Sequence, residues 1–216
     1  MSNQSLAKFY SPSEERLNIL THALGLALSV VGLILLFVRS ISLGDAAQII
    51  TSVIFGVSMI MLYAASTIYH STDSPESRAK MRIVDHAAIY ILIAGTYTPF
   101  CVLVLGGKTG WVILATSWSM AITGITLKLF FTGRFKLLST LMYVFMGWLI
   151  VFAIEPLINN IDPGGLHWLV AGGISYTVGA ILYSIKAIPF NHAIFHSFVL
   201  GGTICHFMAV YLYLLT

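Results

Sequence analysis

NHAIFHSFVLGGTICHFMAVYLYL, residues 191–214, carries no Asp, Glu, Lys or Arg over 24 positions. About 20 apolar residues cross the roughly 30 Å hydrocarbon core of a bilayer at a helical rise of about 1.5 Å per residue, so the stretch reads as a membrane span. It opens with His192 and His196, one helical turn apart. Ionisable groups inside a membrane are expensive unless they pair, ligate or line a wet cavity, so the same stretch that places the chain in a bilayer also points to a site.

Six more apolar stretches precede it, at about residues 19–38, 46–70, 83–105, 109–131, 138–158 and 165–186. The connections are short and hold the breakers Asp73 to Pro75, Gly106 and Gly107, Asp162 to Gly165, and Pro189. The chain has 216 residues, 58% hydrophobic and 9% charged, with a mean hydropathy of +0.91, which excludes a water-soluble globule. The expected fold is all-α: a seven-transmembrane helix bundle over residues 19–216 behind a polar N-terminal tail, residues 1–18. That tail lacks an apolar run with a small-residue cleavage site, so no removable signal peptide is expected.

Charge sets the expected orientation. Lys8, Arg16, Arg78, Lys80, Arg82, Lys128, Arg134, Lys136 and Lys186 fall on one side, and only Arg39 and Lys108 on the other. Cytoplasmic loops carry the Lys/Arg excess, which puts the N-terminus in the cytoplasm and the C-terminus outside. The net charge of +3 reflects this bias and calls for no nucleic-acid partner. Cys101 and Cys205 fall inside spans and read as small apolar residues rather than a disulfide framework.

With this topology the costly polar groups converge. The second span ends in Ser66-Thr67-Ile68-Tyr69-His70, with Ser66 and His70 on one face at i and i+4. The third begins with Asp85-His86, the first with Glu15, Asn18 and His22, and the seventh with His192 and His196. All lie at the same leaflet. Neutral imidazole is a preferred zinc ligand, and two histidines at i and i+4 with a third, His70, from another helix leave the fourth tetrahedral position open, as in a catalytic site. Bound zinc brings the pKa of water toward about 7. Asp85 would act as general base, as a direct ligand or as the partner that orients an imidazole, and the spacing leaves these open. Ser66 would donate a hydrogen bond to a ligand or to a developing oxyanion. Glu15, Asn18, His22 and His86 read as hydrogen-bonding residues around the metal, with His22 and His86 as outer ligands in the alternative.

His206 lies ten residues beyond His196, about 15 Å further along the helix, too far to share an ion, and reads as an interhelical hydrogen bonder. His167 belongs to the outer interface and Glu155 to solvent. Gly172, Gly173 and Gly179 would permit close helix packing.

The motifs Glu15-x-x-Asn18-x-x-Thr21-His22, Ser66-x-x-x-His70, Asp85 and His192-x-x-x-His196 resemble those of the hemolysin III branch of the progestin and adipoQ receptor family, grouped with alkaline ceramidases among membrane hydrolases. The resemblance covers nearly the whole chain. It implies seven spans with a cytoplasmic N-terminus in a bacterial inner membrane, and zinc held by His70, His192 and His196. It also implies that Asp85 lies near the metal and Ser66 in the same polar cluster. The expected function is a zinc-dependent hydrolase of a lipid amide or ester, with membrane lipids as substrate or ligand. The alternatives are a pore or cytolysin of the hemolysin III type, and a receptor or membrane-state sensor in which zinc is structural. A pore needs polar lining through both leaflets, and the outer halves of these spans offer no charged ring.

Overall fold

A computed structural model describes residues 7–131 and 136–216. Helix α1 (Pro12–Leu43) starts with Pro at its first position behind Ser11, whose Oγ accepts the Glu14 N–H at 3.3 Å. Glu14 and Glu15 in its first turn favour the positive end of the helix dipole. It ends at Gly44, where φ of 75° and N–H bonds to Ser40 and Ile41 carbonyls close the last turn. Asp45 then caps α2 (Ala46–Ser71) by accepting the Gln48 N–H at 2.8 Å. Helix α3 (Pro75–Pro99) continues into a π-helical turn, Phe100–Leu105, and α4 (Gly107–Phe131) follows. Helices α5 (Lys136–Gly147) and α6 (Ile154–Asn160) are joined by a 3₁₀ segment, Leu149–Ala153. Helices α7 (Pro163–Ser184) and α8 (Asn191–Ala209) complete the chain, α8 with a π-helical end, Val210–Leu214.

Seven helical stretches among the described residues are long and apolar enough to cross a membrane, and none of these residues forms a strand. This is the expected seven-span, all-α architecture. An odd number of crossings puts the start of α1 and the end of α8 at opposite faces. The start of α1, the end of α2 and the starts of α3 and α8 share one face, here called the N-terminal face. Helix α1 packs against α2 and α8, α2 against α3, α3 against α4, and α7 against α8. The core between them holds Leu36, Phe55, Met59 and Tyr63, while Leu20, Trp111, Phe130 and Phe152 face outward, as lipid contact requires. Backbones approach closely where a side chain would collide: a Cβ at Gly25 would enter the Tyr63 ring and one at Gly172 the His206 ring. Gly173, in contrast, meets open space.

Element boundaries differ from expectation in three places. Helix α1 begins at Pro12 rather than about 19, and α3 at Pro75 rather than about 83. Both starts follow a Ser-Pro step, and their first turns are polar, so hydropathy registers only the part inside the hydrocarbon. The fifth span is broken after Gly147. Tyr97 of α3 braces the break: its Oη donates to the Gly147 carbonyl at 3.2 Å and accepts the Ile150 N–H at 2.9 Å, satisfying backbone groups that no lipid could. Of the cations counted for orientation, Arg134 lies outside the described residues.

Candidate metal centre

The last turn of α2 and the first two turns of α8 meet at the N-terminal face, closed on one side by the start of α1. There His70, His192 and His196 are buried, each offering a ring nitrogen within 4.8 Å of the other two. His70 Nε2 and His192 Nε2 are 3.1 Å apart. Two imidazole nitrogens sharing a tetrahedral zinc at about 2.0–2.1 Å would be about 3.3–3.4 Å apart, so the pair is set close to the spacing an ion requires. Among the described residues no carboxylate joins this group.

Residues of α1 orient the rings. Glu15 Oε2 accepts from His70 Nδ1 at 2.7 Å, which turns His70 Nε2 toward its neighbours. Asn18 Nδ2 lies 3.4 Å from the same Nδ1, and the Asn18 carbonyl lies 3.4 Å from His196 Nδ1. His192 is fixed by its backbone N–H, 3.4 Å from Glu14 Oε1. His22 stacks on His196 with ring centroids 3.5 Å apart and 15° between planes, and meets the Tyr63 ring edge-on at 5.1 Å. Neither His22 nitrogen has a hydrogen-bond partner in this structure, so its visible contribution is packing against a ligand candidate.

Glu15 is itself held. It forms an ion pair with Arg78 and accepts the Tyr10 N–H at 3.1 Å. The Arg78 side chain is 1% exposed and also donates to the carbonyls of Lys8 at 2.7 Å, His70 at 3.2 Å and Thr72 at 3.0 Å. It therefore ties the end of α2, the start of α1 and the segment before α1 into one unit. Tyr69 Oη donates to the same Lys8 carbonyl at 3.1 Å. The segment so anchored lays Tyr10 flat on His192, centroids 4.6 Å apart at 11°. Burial raises the pKa of that phenol, so it stays protonated at neutral pH.

Asp85 and Ser66 are buried on the facing sides of α3 and α2. The Ser66 hydroxyl is the hydrogen-bonding group that faces the Asp85 carboxylate. His86 is half-buried, its carbonyl accepting the Tyr143 hydroxyl at 2.8 Å, and its ring has no hydrogen bond or ring contact to the three histidines. His206 is an interhelical hydrogen bonder, with Nε2 3.1 Å from the Leu169 carbonyl of α7. The structure thus brings Glu15, Asn18 and His22 against the three histidines, whereas Asp85 and Ser66 make no hydrogen bond or ion pair to them.

A model of the family described as Haemolysin-III related matches residues 10–207. The chain belongs to the haemolysin III family. This haemolysin III protein is 48% identical over 202 residues to Hemolysin-3 of Bacillus cereus, covering 94% of this chain and 92% of that one. It is 46% identical over 204 residues to the Hemolysin-3 homolog of Bacillus subtilis (strain 168), covering 94% and 96%. Similarity extends to the Monocyte to macrophage differentiation factor of Homo sapiens, 30% identical over 217 residues with 95% and 87% covered, which joins the haemolysin III proteins to the wider progestin and adipoQ receptor family.

Four residues of this haemolysin III site were not anticipated: Tyr10, Glu14, Arg78 and Tyr183, whose ring centroid is 5.3 Å from that of His192. Arg78 carries no local mark that separates it from the loop cations Lys80 and Arg82. Glu14 was within reach of sequence reading, because Ser11-Pro12 announces a helix start that puts Glu14 and Glu15 in its first turn.

Proposed function

We propose that this haemolysin III protein is a zinc-dependent hydrolase of a lipid amide or ester, working from the cytoplasmic leaflet of a bacterial inner membrane. The observation that carries the reading is the convergence of three buried imidazoles, one of them backed by Glu15. Zinc in such a site supplies Lewis acidity toward water and a carbonyl. The chain's own groups perform the remaining tasks. Glu15 holds the proton on His70 Nδ1, Asp85 takes and returns a proton at its carboxylate, and Ser66 donates its hydroxyl hydrogen to an oxygen that gains charge. Burial at the lipid-facing end of the spans restricts access to molecules that partition into the membrane. The Lys/Arg excess at the N-terminal face supports its cytoplasmic placement.

The test is a screen of lipid amides and esters with purified protein carrying measured zinc, beside Asp85→Asn. Turnover lost in that variant at unchanged metal content supports the proposal. Zinc that is required for stability, with turnover absent on every lipid class, would replace it with a structural clamp between α2 and α8. The printed name Hemolysin-3 of the Bacillus cereus relative supports a second reading, cytolysis through a pore. Currents from reconstituted protein that depend on its density would favour it, and silence at high density would remove it.

A further inference from the structure

Around the mouth of the metal centre lie two cations from separate parts of the chain: Lys8 before α1 and Lys186 in the α7–α8 connection. Lys8 Nζ donates to Tyr10 Oη at 2.8 Å and lies 4.2 Å from the Tyr10 ring centroid. Lys186 Nζ donates to the Tyr183 carbonyl at 2.8 Å and sits 4.0 Å from the Tyr183 ring centroid. Both rings wall the same histidine, Tyr10 at 4.6 Å and Tyr183 at 5.3 Å from His192. The two ammoniums are therefore carried on the two aromatic covers of the metal centre.

The carboxylates nearby are engaged elsewhere. Glu15 is committed inward to Arg78 and His70, and Glu76 pairs with Lys80. Glu14 faces the His192 N–H. Among the described residues, neither Lys8 nor Lys186 has a carboxylate within ion-pair distance. Partial burial and then the like charges of Lys186 and Arg82 push the Lys8 pKa down. Phosphate oxygens accept readily from ammonium and guanidinium donors and would relieve this repulsion. The rim stands at the span ends beside the exposed side chains of Leu17, Leu20 and Phe190, where a bilayer presents its headgroups.

We propose that this mouth binds the phosphate-bearing headgroup of an anionic lipid through Lys8 and Lys186. Lipids that reach the histidines are thereby selected by a negative head. The step from bound lipid to substrate rests on the hydrolase reading, whereas the binding does not.

The experiment is binding of phosphatidylglycerol, phosphatidylcholine and inorganic phosphate to the purified full chain in neutral detergent. Wild type is compared with Lys8→Gln/Lys186→Gln and, on the opposite face, Lys108→Gln, each checked for metal content and thermal stability. A surface cation near an anionic lipid accounts for about 5-fold in affinity, so the double lysine variant should bind phosphatidylglycerol about 30-fold more weakly and Lys108→Gln equally to wild type. Phosphatidylcholine should bind weakly throughout. Equal weakening by Lys108→Gln, or none by the double variant, would overturn the proposal. Inorganic phosphate binding as tightly as the lipid would overturn the lipid as its source. Headgroup binding that survives in His192→Ala/His196→Ala, with zinc absent, upholds the anion site independently of the hydrolase.

Discussion

Replacing Glu15 by Gln keeps the size of the side chain and removes its charge, which separates two roles that the structure gives one carboxylate. The first is electrostatic. Arg78 is 1% exposed and Glu15 14%, and removing one member of a buried ion pair costs about 3–5 kcal/mol. Arg78 keeps three carbonyl acceptors in the variant, those of Lys8, His70 and Thr72, and Glu15 is partly wet, so the lower end, about 3 kcal/mol, is expected. The second role is orientation of His70 through the 2.7 Å bond to Nδ1, and loss of such a partner typically weakens metal binding about 10–100-fold. Unfolding in detergent with a chelator present isolates the first, and zinc titration isolates the second. Pairing Glu15→Gln with Arg78→Met should restore most of the stability, since no buried charge is then left alone, while zinc affinity stays reduced. Equal stability of chelated wild type and Glu15→Gln, together with a loss of zinc affinity below about 3-fold, would refute the relay from Arg78 through Glu15 to His70.

Asp85→Asn should retain wild-type zinc content and lose lipid turnover by about 100-fold or more, read by elemental analysis and product release. Zinc retention should fall as pH is lowered, because the ligating imidazoles must be unprotonated and protons compete for their lone pairs; equilibrium dialysis over a pH series gives the profile, and retention independent of pH down to full protonation of free imidazole and beyond would contradict imidazole ligation. Tyr10→Ala should speed zinc loss to a chelator without changing stoichiometry, since the stacked ring covers His192. Gly25→Val should destabilise the bundle by about 1–3 kcal/mol in chemical unfolding, because its Cβ enters the Tyr63 ring.

The spans that were most legible are those whose chemistry is uniform along their length. Residues 46–70 and 191–214 were expected and Ala46–Ser71 and Asn191–Leu214 are observed, because apolar length alone decides them. Hydropathy is blind where a helix runs on into water, so the polar first turns of α1 and α3 escaped it although Ser11-Pro12 and Ser74-Pro75 mark both starts. It is equally blind to backbone geometry, and the break after Gly147 depends on Tyr97, 50 residues away in sequence.

The same asymmetry governs the site. His70, His192 and His196 stood out because a polar group in hydrocarbon demands an explanation. Tyr10, Glu14 and Arg78 belong to segments where polar residues are ordinary, and nothing local distinguishes a solvated cation from one folded inward. Arg78 counted toward topology as a loop charge and is instead nearly inaccessible, a placement fixed by carbonyls of the segment before α1 and of the end of α2.

The most direct measurement is the zinc content of the purified protein beside a His192→Ala/His196→Ala variant of equal helical content. The three-histidine centre predicts about one zinc per chain in the wild type and none in the variant. A wild-type protein that stays metal-free after incubation with zinc, or a variant that keeps its full zinc, would contradict it.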